Sequence, residues 1–426
     1  MRFLRELSRR PFVRNVITVA TGTALAQAVT LAFAPLITRL FGPEVFGLQS
    51  IFLSVVGLLA VVASLGYPQA IVLPARDDEA ATLARLSLAL AAGSALVVAL
   101  LRPWLGDALL RLLNAGAIAP VKAVIPLALF ATVLTAVLAQ WLVRQKAFAL
   151  GARYGVLSAL LLNGAKAGFG AWMPTAWVLI VTHAVATFVG AVWTWLGWRR
   201  HRAPATATPA APPGWRELAR RYGDFPLLRT PQNLINAFSQ SLPVLLLAAG
   251  FGSAPAGQYA LAAAVLAAPA SLIGGSVMSV FTPRINEAIQ RGEDARSLIV
   301  RATRGMAAAG ALPFALLALA GPWLFGFVFG AQWHTAGVYA QWLAPWMFLQ
   351  YLNTPAVSAI PALRLQGGLL VYELFSTGGK VLALVLGWRL LGSDVAAVAL
   401  FSAAGCVAYL WLILWVLRRS GPGIHG

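Results

Sequence analysis

The sequence predicts an all-α polytopic membrane protein, with about twelve transmembrane helices in two six-helix bundles. Three observations predict it. The 426-residue chain is 60% hydrophobic and only 11% charged, with the charges clumped between long apolar runs; soluble domains rarely exceed about half apolar residues. The Lys and Arg residues alternate from side to side along the chain. The two halves also share a faint internal repeat.

The elements follow in order from a requirement of about 20 apolar residues per helical crossing. The basic start "MRFLRELSRRPFVRN" leads into a first span at roughly 15–38. This run is too long for a signal-peptide core and ends in no small-residue cleavage site, so it is read as retained. Phe41-Gly42 turns the chain into a second span, roughly 47–70, and the charged stretch around Arg76-Asp77-Asp78-Glu79 separates it from a third, roughly 84–101. "RPWLG" closes the third, and the fourth runs over roughly 121–143. Arg144 and Lys146 precede a fifth, roughly 154–173, and Pro174 separates it from a sixth, roughly 176–198. A low-complexity Pro/Ala stretch, "APATATPAAPPG", follows with the basic "WRELARRY". Six more spans succeed it, at roughly 226–249, 257–281, 305–329, 337–360, 366–388 and 395–417.

The basic residues test this count. With twelve spans, 24 of the 32 Lys and Arg residues fall on the side that holds both termini and 5 on the other. Positive charge accumulates in cytoplasmic loops, so both termini are expected in the cytoplasm. The same rule accounts for the net charge of +19 without nucleic acid as a partner. The four histidines are scattered without metal-ligand spacing, and the single cysteine, Cys406, permits no intrachain disulfide. No cofactor is expected; a coupling ion, Na+ or H+, is left open.

The repeat divides the chain into an N-terminal bundle at 1–198, a cytoplasmic linker at 199–222 and a C-terminal bundle at 223–426. Phe41-Gly42 with Gly47 recurs as Phe251-Gly252 with Gly257, "RPWLG" as "GPWLFG", and "NGAK" (163–166) as "TGGK" (377–380). Each half has an even number of spans, so the halves are parallel, related by an axis along the membrane normal. Cargo would then sit between them near the midplane.

The polar residues inside spans are the candidate site. In "LLRTPQNLINAFSQSLPVLL" (227–246), Arg229, Gln232, Asn233, Asn236, Ser239 and Gln240 fall within an arc of roughly 120° at 100° per residue. Hydrocarbon penalises such a stripe, so it faces protein or water. An interhelical seam of amides is the alternative to a cavity wall, but a seam does not need an arginine. Glu373 and Lys380 share a face of the eleventh span, and Asn163 and Lys166 a face of the fifth. Lys166 and Lys380 occupy matching places in the repeat; snorkelling toward an interface fits them as well as a cavity does. Trp346, Gln350 and Asn353 line one face of the tenth span with Tyr339 and Trp342, where an aromatic belt competes with a sugar-binding wall. Arg14 heads a weaker stripe in the first span. Three buried cations against one glutamate suit an anionic cargo such as a phosphate.

With these residues in view, the chain resembles the oligosaccharide/polysaccharide flippases, the lipid-linked O-antigen repeat-unit translocases of the multidrug/oligosaccharidyl-lipid/polysaccharide exporter superfamily. The resemblance rests on 36–74, 225–262, 271–288 and 329–360, notably "LITRLFGPEVFG", "FPLLRTPQNLINAFSQSLP" and "FGAQWHTAGVYAQWLAPW". It implies two bundles forming a V around a central cationic cavity bordered by the seventh helix. It also implies transfer of polyprenyl-pyrophosphate-linked oligosaccharide across a bacterial inner membrane by alternating access, for surface polysaccharide or lipopolysaccharide, with membrane lipids around it and polymerase and chain-length proteins as partners. Relatives often carry an acidic residue after the tyrosine of the second span; here the chain reads Tyr67-Pro68-Gln69. The rival readings are a drug/cation antiporter, which would place carboxylates in the cavity, and a membrane-embedded glycan-processing enzyme. The latter usually needs a carboxylate or metal site. A transporter-like protein without transport activity is a third.

Overall fold

The protein is described here from a computed structural model that covers residues 11–112, 116–201, 214–291, 293–363 and 365–420. Each of the twelve expected spans falls on a helix. In the first half these are α1 (Pro11–Leu40), α2 (Pro43–Ser64), α3 (Asp77–Leu112), α4 (Ile125–Arg144), α5 (Phe148–Trp172) and α6 (Ala176–His201). In the second they are α7 (Thr230–Phe251), α8 (Ser253–Gln290), α9 (Ala295–Phe329), α10 (His334–Leu352), α11 (Gln366–Leu391) and α12 (Asp394–Arg419). Ten helices among the described residues are long and apolar enough to cross a membrane. The other two expected spans, 257–281 and 337–360, lie in α8 and in α10 with the short helix Thr354–Ala359.

Several boundaries differ from the hydropathic ones for local reasons. α3 starts seven residues before its expected span, because Asp77, Asp78 and Glu79 occupy its first turn, where carboxylates complement the helix dipole. α2 begins with Pro43 at its first position, which wastes no backbone donor. It ends where Leu65 and Gly66 turn left-handed, at φ 46° and 70°. The seventh span opens with a π-helical turn, Phe225–Arg229, before α7 proper. Pro231 cannot donate to the preceding turn, and the chain widens there. The Thr230 hydroxyl donates to the Phe225 carbonyl at 3.2 Å and so helps satisfy this irregular start.

The chain forms two compact units, Met1–Gly257 and Gln258–Gly426. In the first, α5 packs between α1 and α6, α4 contacts α3 and α6, and α7 lies along α2. α7 and the first turn of α8 are therefore part of the first compact unit, whereas the repeat places them at the head of the second half. Part of the linker, residues 202–213, lies outside the described residues. Its basic end forms a short helix, Trp215–Arg221, that docks on the first unit. Leu218 is fully buried with Tyr67, Ile71, Leu83, Trp141 and Phe225. The Tyr67 hydroxyl donates to the Ala219 carbonyl, and Arg221 pairs with Glu79. In the second unit, α9 packs on α10, and α12 contacts α10 and α11. There the buried Gln258 amide joins α8 to the start of α10, donating to Gln332 O and accepting from Ala336 N, both at 2.8 Å.

The first repeat match has a direct structural expression: its two glycines touch. A Cβ on Gly47 would fall 1.7 Å from the Ser253 carbonyl oxygen, and one on Gly257 would fall 2.0 Å from that of Pro43. Only glycine at both places lets α2 and the first turn of α8 approach this closely.

Candidate functional site

The polar residues of the α7 stripe lie on a stretch whose apolar neighbours Leu227, Leu228 and Phe238 are exposed too. Arg229, Gln232, Asn236 and Gln240 are exposed and Asn233 is half-buried, while Thr230, Val244, Leu247 and Ala248 are buried. The π turn and Pro231 set the direction of the stripe's first residue. Gly66, in the turn after α2, lies against that π turn: a Cβ there would meet Phe225 O and Thr230 Oγ1, each at 3.3 Å. Arg229 Nη1 donates to Gln232 Oε1 at 3.2 Å. Among the described residues no carboxylate pairs with this guanidinium, so its remaining donors face outward. A planar fork of N–H donors beside a row of amides can take a phosphate and the hydroxyls next to it.

Asn163 and Lys166 do not join this stripe. They lie within the first unit, in a cleft of about 530 Å³ walled by α1, α2, α4, α5 and α6. Asn163 is 5% exposed, and its amide donates to Ala159 O (2.8 Å) and Thr30 Oγ1 (3.3 Å). His183 of α6 also lines the cleft. Sequence reasoning passed over it as one scattered histidine; only the packing of α6 on α5 reveals its place.

The second unit gathers a different group. Lys380 is 9% exposed, and its ammonium lies 5.7 Å from the Trp346 ring centre and 6.0 Å from that of Phe401. Both candidates, from α11 and α10, thus meet in a cation–π contact. Lys380 is enclosed rather than snorkelling. Gln350 lies near Tyr409 of α12. Asn353 is buried at the break between α10 and the following short helix, with its Oδ1 unpartnered, as is Trp346 Nε1. Glu373 is half-buried on α11. Arg14 is in α1, but its side chain lies outside the described residues.

A further cluster stands at the end of the first unit where the basic turns gather. Arg144 donates to the Ile71 and Pro74 carbonyls (3.2 and 2.6 Å) and to Asp77 Oδ1 (2.8 Å), and Gln145 donates to the other oxygen of Asp77. Nearby, the Arg76 guanidinium holds the Asp78 carboxyl below its ordinary value.

Similar folds occur among solved transporters. A multidrug resistance MATE family transporter of the MOP superfamily, inward-facing, matches at TM-score 0.72 with 16% identity, over 92% of this chain and 94% of that one. The lipid II flippase MurJ, in an inward closed conformation, matches at TM-score 0.74 with 10% identity, over 94% and 87%. A MOP superfamily transporter from Pyrococcus furiosus, described as having a binding pocket of reverse polarity, matches at TM-score 0.63 with 17% identity, over 96% and 95%. No curated protein matches the chain. At these identities the likeness shows the fold, and the long apolar helices make the chain a multi-pass membrane protein. A family model described as polysaccharide biosynthesis protein matches residues 36–337, and the chain belongs to that family.

Proposed function

We propose that the protein flips a polyprenyl-pyrophosphate-linked oligosaccharide repeat unit across a bacterial inner membrane, for surface polysaccharide or lipopolysaccharide assembly. The observation that carries this reading is the exposed stripe on α7, headed by a guanidinium without an acidic partner. Arg229 takes the pyrophosphate, and Gln232, Asn233, Asn236 and Gln240 take sugar hydroxyls. Lys380 adds positive field to the membrane-embedded region. Gln350, Asn353 and Trp346 offer a second polar and aromatic wall for sugar. The prenyl tail stays in lipid, and the six-helix halves rock to expose the site alternately, biased by an ion or by membrane potential. The basic loops face the cytoplasm with both termini, and a polymerase and a chain-length protein receive the product.

The test is flipping of a polyprenyl-pyrophosphate-linked oligosaccharide in proteoliposomes. Losing a charge-assisted phosphate contact predicts a rate about tenfold or more lower for Arg229→Ala. Arg229→Lys recovers part of it, since it keeps the charge but loses the fork. An Arg229→Ala rate equal to the parent's, at equal reconstituted amount, defeats the assignment. Export of organic cations by a protein that leaves sugar-lipid untouched would favour the antiporter.

A further inference from the structure

The cleft of the first unit holds an ammonium with nothing to neutralise it. α5 contributes one continuous wall from Phe148 to Lys166, roughly 27 Å of helix axis. At the Lys166 end the facing groups come from α1 (Thr30) and α6 (His183, Thr187). Among the described residues no Asp or Glu lines the cleft, and Lys166 has no hydrogen bond or ion pair. The neighbouring polar groups are already directed elsewhere. The Asn163 amide nitrogen is held by Thr30 and Ala159, and the Thr187 hydroxyl donates to the His183 carbonyl at 2.8 Å. His183 Nδ1 is buried without a partner. A lone cation facing a low-dielectric space is costly, and a well-placed anion offsets part of that cost. Among the described residues none supplies a counter-charge there, and a bound anion would.

We infer that the cleft is a binding site for a small monovalent anion of the halide class, seated at the Lys166 ammonium beside His183. The chemistry selects this class. One ammonium balances one negative charge, and a diphosphate would keep uncompensated charge in the cleft. A diphosphate also requires several converging donors, whereas this end of the cleft has only the ammonium and the imidazole to offer. The walls beyond are mostly aliphatic and glycine, with Gly151, Gly155, Ala159 and Ala186 among them; of the hydroxyls there besides Tyr154 and Ser158, Thr135 and Thr194 donate to carbonyls of their own helices. Such walls suit a weakly hydrated sphere better than an oxyanion. The site is separate from the α7 stripe and does not depend on the cargo reading.

Thermal unfolding of the full-length protein in lipid nanodiscs tests it, with sodium chloride or bromide exchanged for sodium gluconate at constant ionic strength. A ligand that binds the folded state raises Tm in proportion to the logarithm of its concentration above Kd. The expected result is a rise of a few degrees in chloride and bromide that grows with the logarithm of their concentration, lost in Lys166→Gln and kept in Lys166→Arg. Anomalous scattering from bromide-soaked crystals of the unmodified protein gives a second reading that needs no variant to fold, with a peak expected within contact distance of Lys166 Nζ. The inference is overturned by a parent Tm that is the same in halide and gluconate. A halide response that survives in Lys166→Gln, or bromide peaks only elsewhere, overturns it too. None of these readings involves transport, so they stand or fall apart from the flippase assignment.

Discussion

At the residue scale, Arg144 shows how one side chain can close a membrane protein's end. Its side chain is 9% exposed and reaches two carbonyls and one carboxylate across the turn between α2 and α3. Arg144→Ala should lower stability by about 2 kcal/mol, because it strands partly buried acceptors. Arg144→Lys should recover less than half, since an ammonium cannot span the same three acceptors. Unfolding of the two variants in nanodiscs checks this; equal Tm for parent and alanine variant would show the contacts to be idle. In the sequence Arg144 counts only as one more basic loop residue, because its partners lie about seventy positions away. Arg229 was easier to read. Its neighbours Gln232, Asn233 and Asn236 are local, and helical periodicity alone puts them on one face.

At the element scale, helix identity followed from apolar length, and the irregularities followed from proline and glycine placed against particular partners. The prolines around α7 indicate an interrupted helix start. That the interruption is a π turn backed by Thr230 depends on Gly66 lying against it, and no local pattern encodes this. The cleft was equally illegible. Asn163 and Lys166 read as a face of α5, but what the face meets is set by α1, α4 and α6. The Gly47–Gly257 contact permits a sharp prediction. Gly47→Ala forces a methyl into the Ser253 carbonyl and should cost roughly 1–3 kcal/mol or more, as overpacking does. Gly42→Ala, with open space around its Cβ position, should be near neutral. Yields of folded, monodisperse protein and Tm for the two variants, side by side, separate close packing from a general intolerance of change in that turn.

At the scale of the whole molecule, twelve helices and the membrane class were legible because hydrophobic length and loop charge are sums over many residues, insensitive to detail. The repeat rests on three short sequence matches; in the structure the glycines of the first, Gly47 and Gly257, lie against each other. The division into compact units was not legible. The Pro/Ala stretch marks where sequence complexity drops, whereas compactness is set by α7 lying on α2 and by Leu218 in the first unit's core. This docking has a consequence for the covalent continuity of the chain. The segment 214–257 is held to the rest of the first unit by burial and not only by the peptide bonds of 202–213. A protease site placed in that stretch and cut after reconstitution should leave two fragments that purify together through one affinity tag. Replacing Leu218 with Asp should weaken their co-purification in the nicked protein while leaving the uncut chain's yield closer to normal. If the pieces part as soon as the backbone is cleaved, the mooring is only a tether.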